Sequence, residues 1–287
     1  MPHLPLSSDL STHLDEVASS FDLGPDADEW FKQATACVRL ELGAAETTHE
    51  VGQSRYGGLP DIPEDGEWPC SERGDALVFL QQINLATIPS YAGSLLPPDG
   101  LLSLFLESDD MAGPGSGPYQ VHYVAAGTRL RAGSIPSERV LAFEDYGDLV
   151  PHGLMPQWSI DLPINCASFD AVCDHDIEAM IKARTEACAD VGASFAGRML
   201  GHPYGVQSDQ IEHAIRLRRG QSPYGTDLQP DPELEAERPR WVPLWQVASN
   251  AHVGACYWDA GDIDIYLPKD ELAALNFSRA YVELETS

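Results

Sequence analysis

The sequence predicts an α+β protein, with duplicated strand-turn-strand units forming a mostly antiparallel sheet and with N-terminal helices and one central helix on the outside. Three observations carry this. Apolar residues recur at three and four near the N-terminus and again after residue 174. Elsewhere they fill short segments bounded by Gly, Pro and Asp, as strands do. Two of those segments return later in the chain in the same order.

Taken in order, Ser11 is placed to cap a short helix carrying Leu14, Val17, Ala18 and Phe21, which Gly24-Pro25 ends. A second helix is expected from Asp26. Asp28 and Glu29 suit the positive end of its macrodipole, and Trp30, Phe31, Ala34, Cys37 and Val38 share one face. Residues 1–50 thus read as a helical extension packed on a body of residues 51–287.

From Gly57 the texture changes. GGLPDIP and DGEWP are dense in residues that fix or free φ, so they predict a structured loop. Strands are expected over Ala76–Leu85, Gly100–Glu107, Tyr119–Ala125 and Arg139–Glu144, from their branched and aromatic content. A long helix follows, with Asp174 or Asp176 as cap and Ile177, Met180, Ile181, Cys188 and Val191 as its apolar stripe, interrupted by Arg184. Trp241–Val247 and Gly261–Leu267 are the later strands. In the second, Ile263, Ile265 and Leu267 alternate with Asp262, Asp264 and Tyr266, as on a sheet with one wet face. Gly220–Pro239 has prolines and acids without periodicity and reads as a surface loop.

The repeat aligns GLP at Gly58 with GHP at Gly201, LVFLQQINLA at Leu77 with WVPLWQVASN at Trp241, and GLLSLFLESDD at Gly100 with GDIDIYLPKDE at Gly261, at offsets of 143, 164 and 161 residues. The two units span about 57–110 and 201–271, and a groove between them is the expected pocket.

These blocks also carry a resemblance. GGLPDIPEDGEWPC, DALVFLQQINLATIP, LPPDGLLSLFLESDD, GHPYGVQSD, RWVPLWQVASN and the ending AGDIDIYLPKDELAALNFSRAYVELETS are similar to the pattern of the YwqG-like family of uncharacterised bacterial proteins. The resemblance implies an α+β bacterial cytosolic protein, supports the duplication and, for some members, implies a place among toxin and immunity systems. It brings no catalytic residues.

Charge narrows the partners. Against 17 Lys and Arg stand 45 Asp and Glu, a net −28. A folded chain of this size exposes roughly 12,000 Å², so each uncompensated negative charge has roughly 430 Å² to itself. Such a surface repels phosphate backbones and anionic headgroups, which excludes nucleic acid and membrane as partners and favours a basic protein. The N-terminal residues lack a basic leader with an apolar run, and no run reaches the length of a membrane helix, so a cytoplasmic protein is expected. Six cysteines spread through a long chain read as free thiols.

Catalytic motifs are missing. GPGSG at Gly113 leads into Pro118 and a strand where a phosphate cradle needs a helix, and no G-x-S-x-G elbow occurs. Cys173-Asp174-His175-Asp176 has the wrong spacing for zinc, and no other metal site or cofactor is implied. Asp262 and Asp264, near Asp259 and Trp258, share a strand face and are weak candidates for a divalent cation or an acid-base pair, against a plain solvated face. Cys70 reads as a loop thiol. Gln82 and Gln246 occupy equivalent places in the two copies, between apolar neighbours where an amide must be bonded. They form a cross-copy hydrogen bond or a clasp on a loop backbone, or else, with Asn84, Trp68 and Trp241, they line a neutral pocket for a small polar ligand. The expected function is a noncatalytic recognition protein with an acidic face, of the immunity or toxin-neutralising kind. The alternative is an enzyme or small-ligand binder using the groove between repeats.

Overall fold

The computed structural model describes residues 4–24, 26–71, 74–106, 119–134, 149–164, 167–204, 209–223, 231–257 and 259–285, with the backbone alone at 26 and 167–176. In chain order these form α1 (Ser8–Ser20), α2 (Asp26–Phe31), β1 (Thr35–Ala45), β2 (Arg55–Tyr56), β3 (Asp61–Pro63), β4 (Val78–Asn84), β5 (Leu101–Leu106), β6 (Tyr119–Val124), β7 (Leu130–Ala132) and β8 (His152–Asp161). There follow α3 (Ala167–Cys188), β9 (Phe195–Met199), α4 (Gln210–Arg218), α5 (Pro232–Glu237), β10 (Trp241–Ala248), β11 (Asp262–Pro268), α6 (Lys269–Ala273) and β12 (Tyr281–Glu285). The expected strand over Arg139–Glu144 and the glycine run 113–117 lie outside the described residues.

One ten-stranded sheet, in the order β12-β11-β10-β9-β1-β8-β2-β4-β5-β6, dominates, and β3 and β7 make a separate ribbon. Every pairing in it is antiparallel. The sheet curls until its two ends approach. Tyr123 of β6 stacks on Phe277, just before β12, with ring centroids 5.1 Å apart. The interior is a single apolar core fed from both halves, including Leu80, Leu102 and Leu104 on one side and Leu244, Ile263 and Ile265 on the other.

The first half of the sheet and the second run in matching register. In β4 and β5, a bulge between Phe79 and Gln81 sits opposite Phe105 and Leu104. In β10 and β11, a bulge between Pro243 and Trp245 sits opposite Tyr266 and Ile265. The bulged strands correspond at an offset of 164 and their partners at 161. An extra residue in a strand turns two successive side chains to the same face. Leu80 and Gln81 therefore both enter the interior, as do Leu244 and Trp245, and all four are buried.

The outer face is covered in three places. Helices α1, α2 and α3 pack Leu14, Val17, Trp30, Met180 and Ala183 over Ile160 of β8 and Leu162 just beyond it. Ile211 and Ile215 of α4 and Leu234 of α5 cover Trp241, Tyr266 and Tyr281. Trp68, ahead of β4, lies on Phe79 and Phe105.

Several expectations are corrected. The second helix stops at Phe31, and residues 35–45 form β1, a strand in the middle of the sheet, so residues 1–50 are not wholly helical. Both faces of β1 are buried, with Val38, Leu40 and Leu42 against the interior and Cys37 and Arg39 outward. A strand covered on both sides shows no polar alternation, and its apolar run joined that of Trp30 and Phe31 into a helix-like pattern. The α1 cap is Ser7, whose Oγ accepts from Leu10 N at 3.3 Å. Helix α3 begins at Ala167, so Asp174 and Asp176 lie inside it and do not cap it. Its buried face is Met180, Ala183, Ala187 and Cys188, whereas Ile177 and Ile181 are exposed, as is Val191 beyond its end. Arg184 faces inward because it pairs with Asp161 and Asp190. Within the supposed loop 220–239, Asp231 caps α5 with Pro232 at its first turn.

Candidate functional site

Two transverse rows of polar side chains cross the outer face, one in each half. In the first, Arg55 of β2 stands opposite Gln82, Gln82 opposite Ser103, and Ser103 opposite His122. In the second, Arg198 of β9 stands opposite Gln246, Gln246 opposite Asp264, and Asp264 opposite Glu283. The glutamines are at equivalent places, yet they look outward from their own halves and do not meet. The cross-half bond is made instead by Gln81, whose Oε1 accepts from Trp245 Nε1 at 2.9 Å and whose Nε2 donates to Ala196 O at 3.2 Å. The bulge is what turns Gln81 inward, and a bulge leaves no mark on the residue types.

Gln82 has its amide satisfied. Nε2 donates to Asp61 Oδ2 and to Gln53 O, both at 2.7 Å, and Oε1 accepts from Asp61 N at 2.8 Å. Asn84 Nδ2 donates to Gly52 O at 2.7 Å, and its Oδ1 accepts from Ala86 N at 3.0 Å. Trp68 Nε1 donates to Leu77 O at 2.9 Å. In the other half, Gln246 Nε2 donates to Asp262 Oδ2 at 3.1 Å, and Trp241 is buried with the Arg218 guanidinium 5.6 Å from its ring centre. The five ligand candidates are thus split between the two halves and not gathered into one pocket.

Each row is anchored by a buried arginine. Arg55, with no exposed surface, lies 3.4 Å from Asp61 and 3.3 Å from Glu46, and His49 Nε2 lies 2.6 Å from Asp61 Oδ1. Arg198 Nη1 lies 2.5 Å from Asp161, which also accepts from His202 N at 2.6 Å. The Tyr204 ring sits 5.0 Å from the Arg198 guanidinium. A buried charge is tolerable only when paired in this way.

The strand face of Asp262 and Asp264 is not wet. Asp264 is buried beneath α4, where Gln210 Nε2 donates to its Oδ2 at 3.1 Å and Tyr266 Oη donates to Gln210 Oε1. Glu285 and Glu283 stand directly opposite the two aspartates. Burial lifts Asp262 to about 6. Burial, reinforced by the neighbouring Asp262 charge, lifts Asp264 to about 8. His213 of α4 bonds Glu283 at 3.1 Å, and that hydrogen bond raises its pKa. A protonated Asp264 acts here as an internal hydrogen-bonding group. Among the described residues no group of three or more His, Cys, Asp and Glu side chains is arranged to hold a metal ion. The side chains of 173–176 are outside that description.

A cavity of about 530 Å³ is at the seam where the curled sheet nearly closes, between β6 and the segment 275–282. Sequence reasoning missed it because the strands that frame it meet only through the curvature of the whole sheet. A smaller apolar hollow of about 170 Å³ lies between the N-terminal residues Leu4 and Pro5 and the loop Ala92–Leu95.

A family model described as a domain of unknown function (DUF1963) matches residues 54–285. The chain belongs to this family. The match leaves out α1, α2 and β1, although β1 lies mid-sheet. No curated protein matches the sequence. No helix among the described residues is long and apolar enough to cross a membrane.

Proposed function

We propose that this member of the domain family is a noncatalytic recognition protein of the cytoplasm whose acidic face, centred on α1 and α2, binds a basic protein partner. The observation that carries the reading is the disposition of the positive charges. Every described arginine except Arg131 has a carboxylate within 4.0 Å in its own chain. Arg131 is occupied with the main-chain carbonyls of Glu64 and Gly66. A partner meeting this surface therefore meets acids with few competing cations.

Ahead of the family match, residues 1–53 carry ten Asp and Glu against two Lys and Arg. Asp9, Asp15, Glu16, Asp22 and Asp28 are exposed along α1 and α2. Lys32 is the sole Lys or Arg ahead of Arg39, and it is tied to Glu29 at 3.2 Å. A body that matches the family model, with a separate acidic layer ahead of it, suits a scaffold that carries a specialised contact, and an immunity or toxin-neutralising role is the form that fits the YwqG-like resemblance. The matching bulges and registers support descent of the body from two copies of one unit.

The test is capture from a native lysate by the immobilised protein at low and at high salt. The reading expects a basic protein retained at low salt and released at high salt. Retention indifferent to salt, or no retained protein, contradicts it.

A further inference from the structure

We infer that the cavity at the seam is a slot for an extended peptide segment with uncharged side chains, which adds as a further strand along the edge of β6 that no described strand occupies. The lining points to a strand edge. Tyr119, Gln120, Val121, His122 and Tyr123 all border the cavity. In a strand, successive side chains point to opposite faces. A space that touches five residues in succession cannot lie over one face, so it runs along the edge, where main-chain N–H and C=O groups project.

Among the described residues β6 is paired with β5 alone, and it is the end strand of the sheet. The opposite wall is the segment 275–282, and the Tyr123–Phe277 stack closes one end of the slot. Its volume of about 530 Å³ is within the range of ligand sites. Main-chain pairing along such an edge supplies affinity without sequence, and alternate side chains add preference.

Chemistry of the lining sets that preference. None of the described lining residues is an acid, a lysine or an arginine, in a chain of net charge −28. Burial lowers the pKa of His122, whose Nε2 lies 3.0 Å from Gln120 Oε1, so the ring is neutral near pH 7. Gln120, His122, Asn276 and Ser278 offer neutral hydrogen bonds, while Val121 and Phe277 offer apolar contact. A charged side chain turned into the slot would lose its hydration without gaining a counter-ion. The slot is thus chemically distinct from the acidic helical layer, and its occupancy is insensitive to salt.

The test pans the full-length protein against phage-displayed random peptides of about seven residues, then measures fluorophore-labelled selected peptides by polarisation. The expected binders are uncharged at their central positions. They protect amides of 119–124 from hydrogen exchange. Methylating alternate backbone nitrogens of a bound peptide should weaken it about tenfold on the set facing β6 and little on the other set. Ser278→Trp, which fills the slot, should abolish binding with an unchanged melting curve, and the methylation series needs no variant if that protein misfolds. A library without binders overturns the inference. So does binding that ignores backbone methylation at every position, or that protects other strands, as a small neutral polyol held by side chains alone would do.

Discussion

Gln81 and Trp245 occupy the same position in two matching bulged strands, and they are hydrogen-bonded to each other through the interior of the sheet, Trp245 Nε1 to Gln81 Oε1 at 2.9 Å. Both side chains are almost wholly out of solvent. Tyr56 makes a second polar crossing, its hydroxyl donating to Ala248 O at 2.8 Å, with the Tyr257 hydroxyl 2.7 Å away. The two halves are thus joined by directional bonds inside an otherwise apolar core.

Replacing Gln81 with Leu leaves the Trp245 N–H and the Ala196 carbonyl without that partner. A buried unpaired group costs about 1–3 kcal/mol, so Gln81→Leu should lower the unfolding free energy by about 2–4 kcal/mol in urea titration. Adding Trp245→Phe removes one orphan and should recover part of the loss. Additive effects of the two changes would mean the bond is not made.

Stability should fall as pH rises through neutrality, which is unusual for so acidic a chain. Asp264 and Asp262 have folded pKa values near 8 and 6 against an ordinary 3.8. Between those limits the folded chain holds more protons than the unfolded one, so the stabilisation is complete below about pH 4 and is lost up to about pH 8. His213, raised by Glu283, acts in the same direction, its contribution being present below its unfolded pKa and lost as pH passes the folded one. The melting temperature should be higher at about pH 6 than at about pH 8.5, and Asp264→Asn should flatten the slope. A melting temperature that rises over this interval would refute the burial of these carboxyls.

Much of this was legible in the residues. The strands at 78–84, 101–106, 241–248 and 262–268 follow from branched, turn-bounded segments, and the inward alternation of Ile263, Ile265 and Leu267 is as expected. The role of Asp262 and Asp264 was not, because alternation tells which residues share a face but not whether a helix covers it. Helix α4 does, through Gln210. Likewise β1 and β8 hid their nature, one buried on both faces and the other carrying Pro156. Gln82 was rightly read as an amide that must be bonded, but its partner, Asp61, comes from β3 of the separate ribbon, 21 residues away.

Two backbone positions should tolerate no side chain. At Gly197 φ is +129°, and an added Cβ would lie 2.0 Å from Gln246 O in the neighbouring strand. At Gly201 φ is +96°, and a Cβ would lie 2.5 Å from Asp161 Oδ2. Gly197→Ala should cost about 2–4 kcal/mol, and Asp161→Asn, which strips Arg198 of its charge partner, about 3–5 kcal/mol. Both are read by chemical denaturation. Wild-type stability in Gly197→Ala would contradict the packing of β9 against β10, and in Asp161→Asn the buried pair with Arg198.

Neutralising the acidic layer should leave the fold alone. Asp15, Glu16 and Asp22 are exposed, so Asp15→Asn, Glu16→Gln and Asp22→Asn together should change stability by no more than about 1 kcal/mol. Capture of a basic partner should nevertheless drop sharply. Undiminished capture would move the contact elsewhere on the surface.

The most direct measurement is the association rate constant between this protein and its captured partner across ionic strength, by stopped flow. Steering by an acidic face predicts a rate that falls at least about tenfold from low to high salt, and a shallower fall for the neutralised triple variant. A rate that is flat in salt, and the same for both proteins, would contradict recognition by charge.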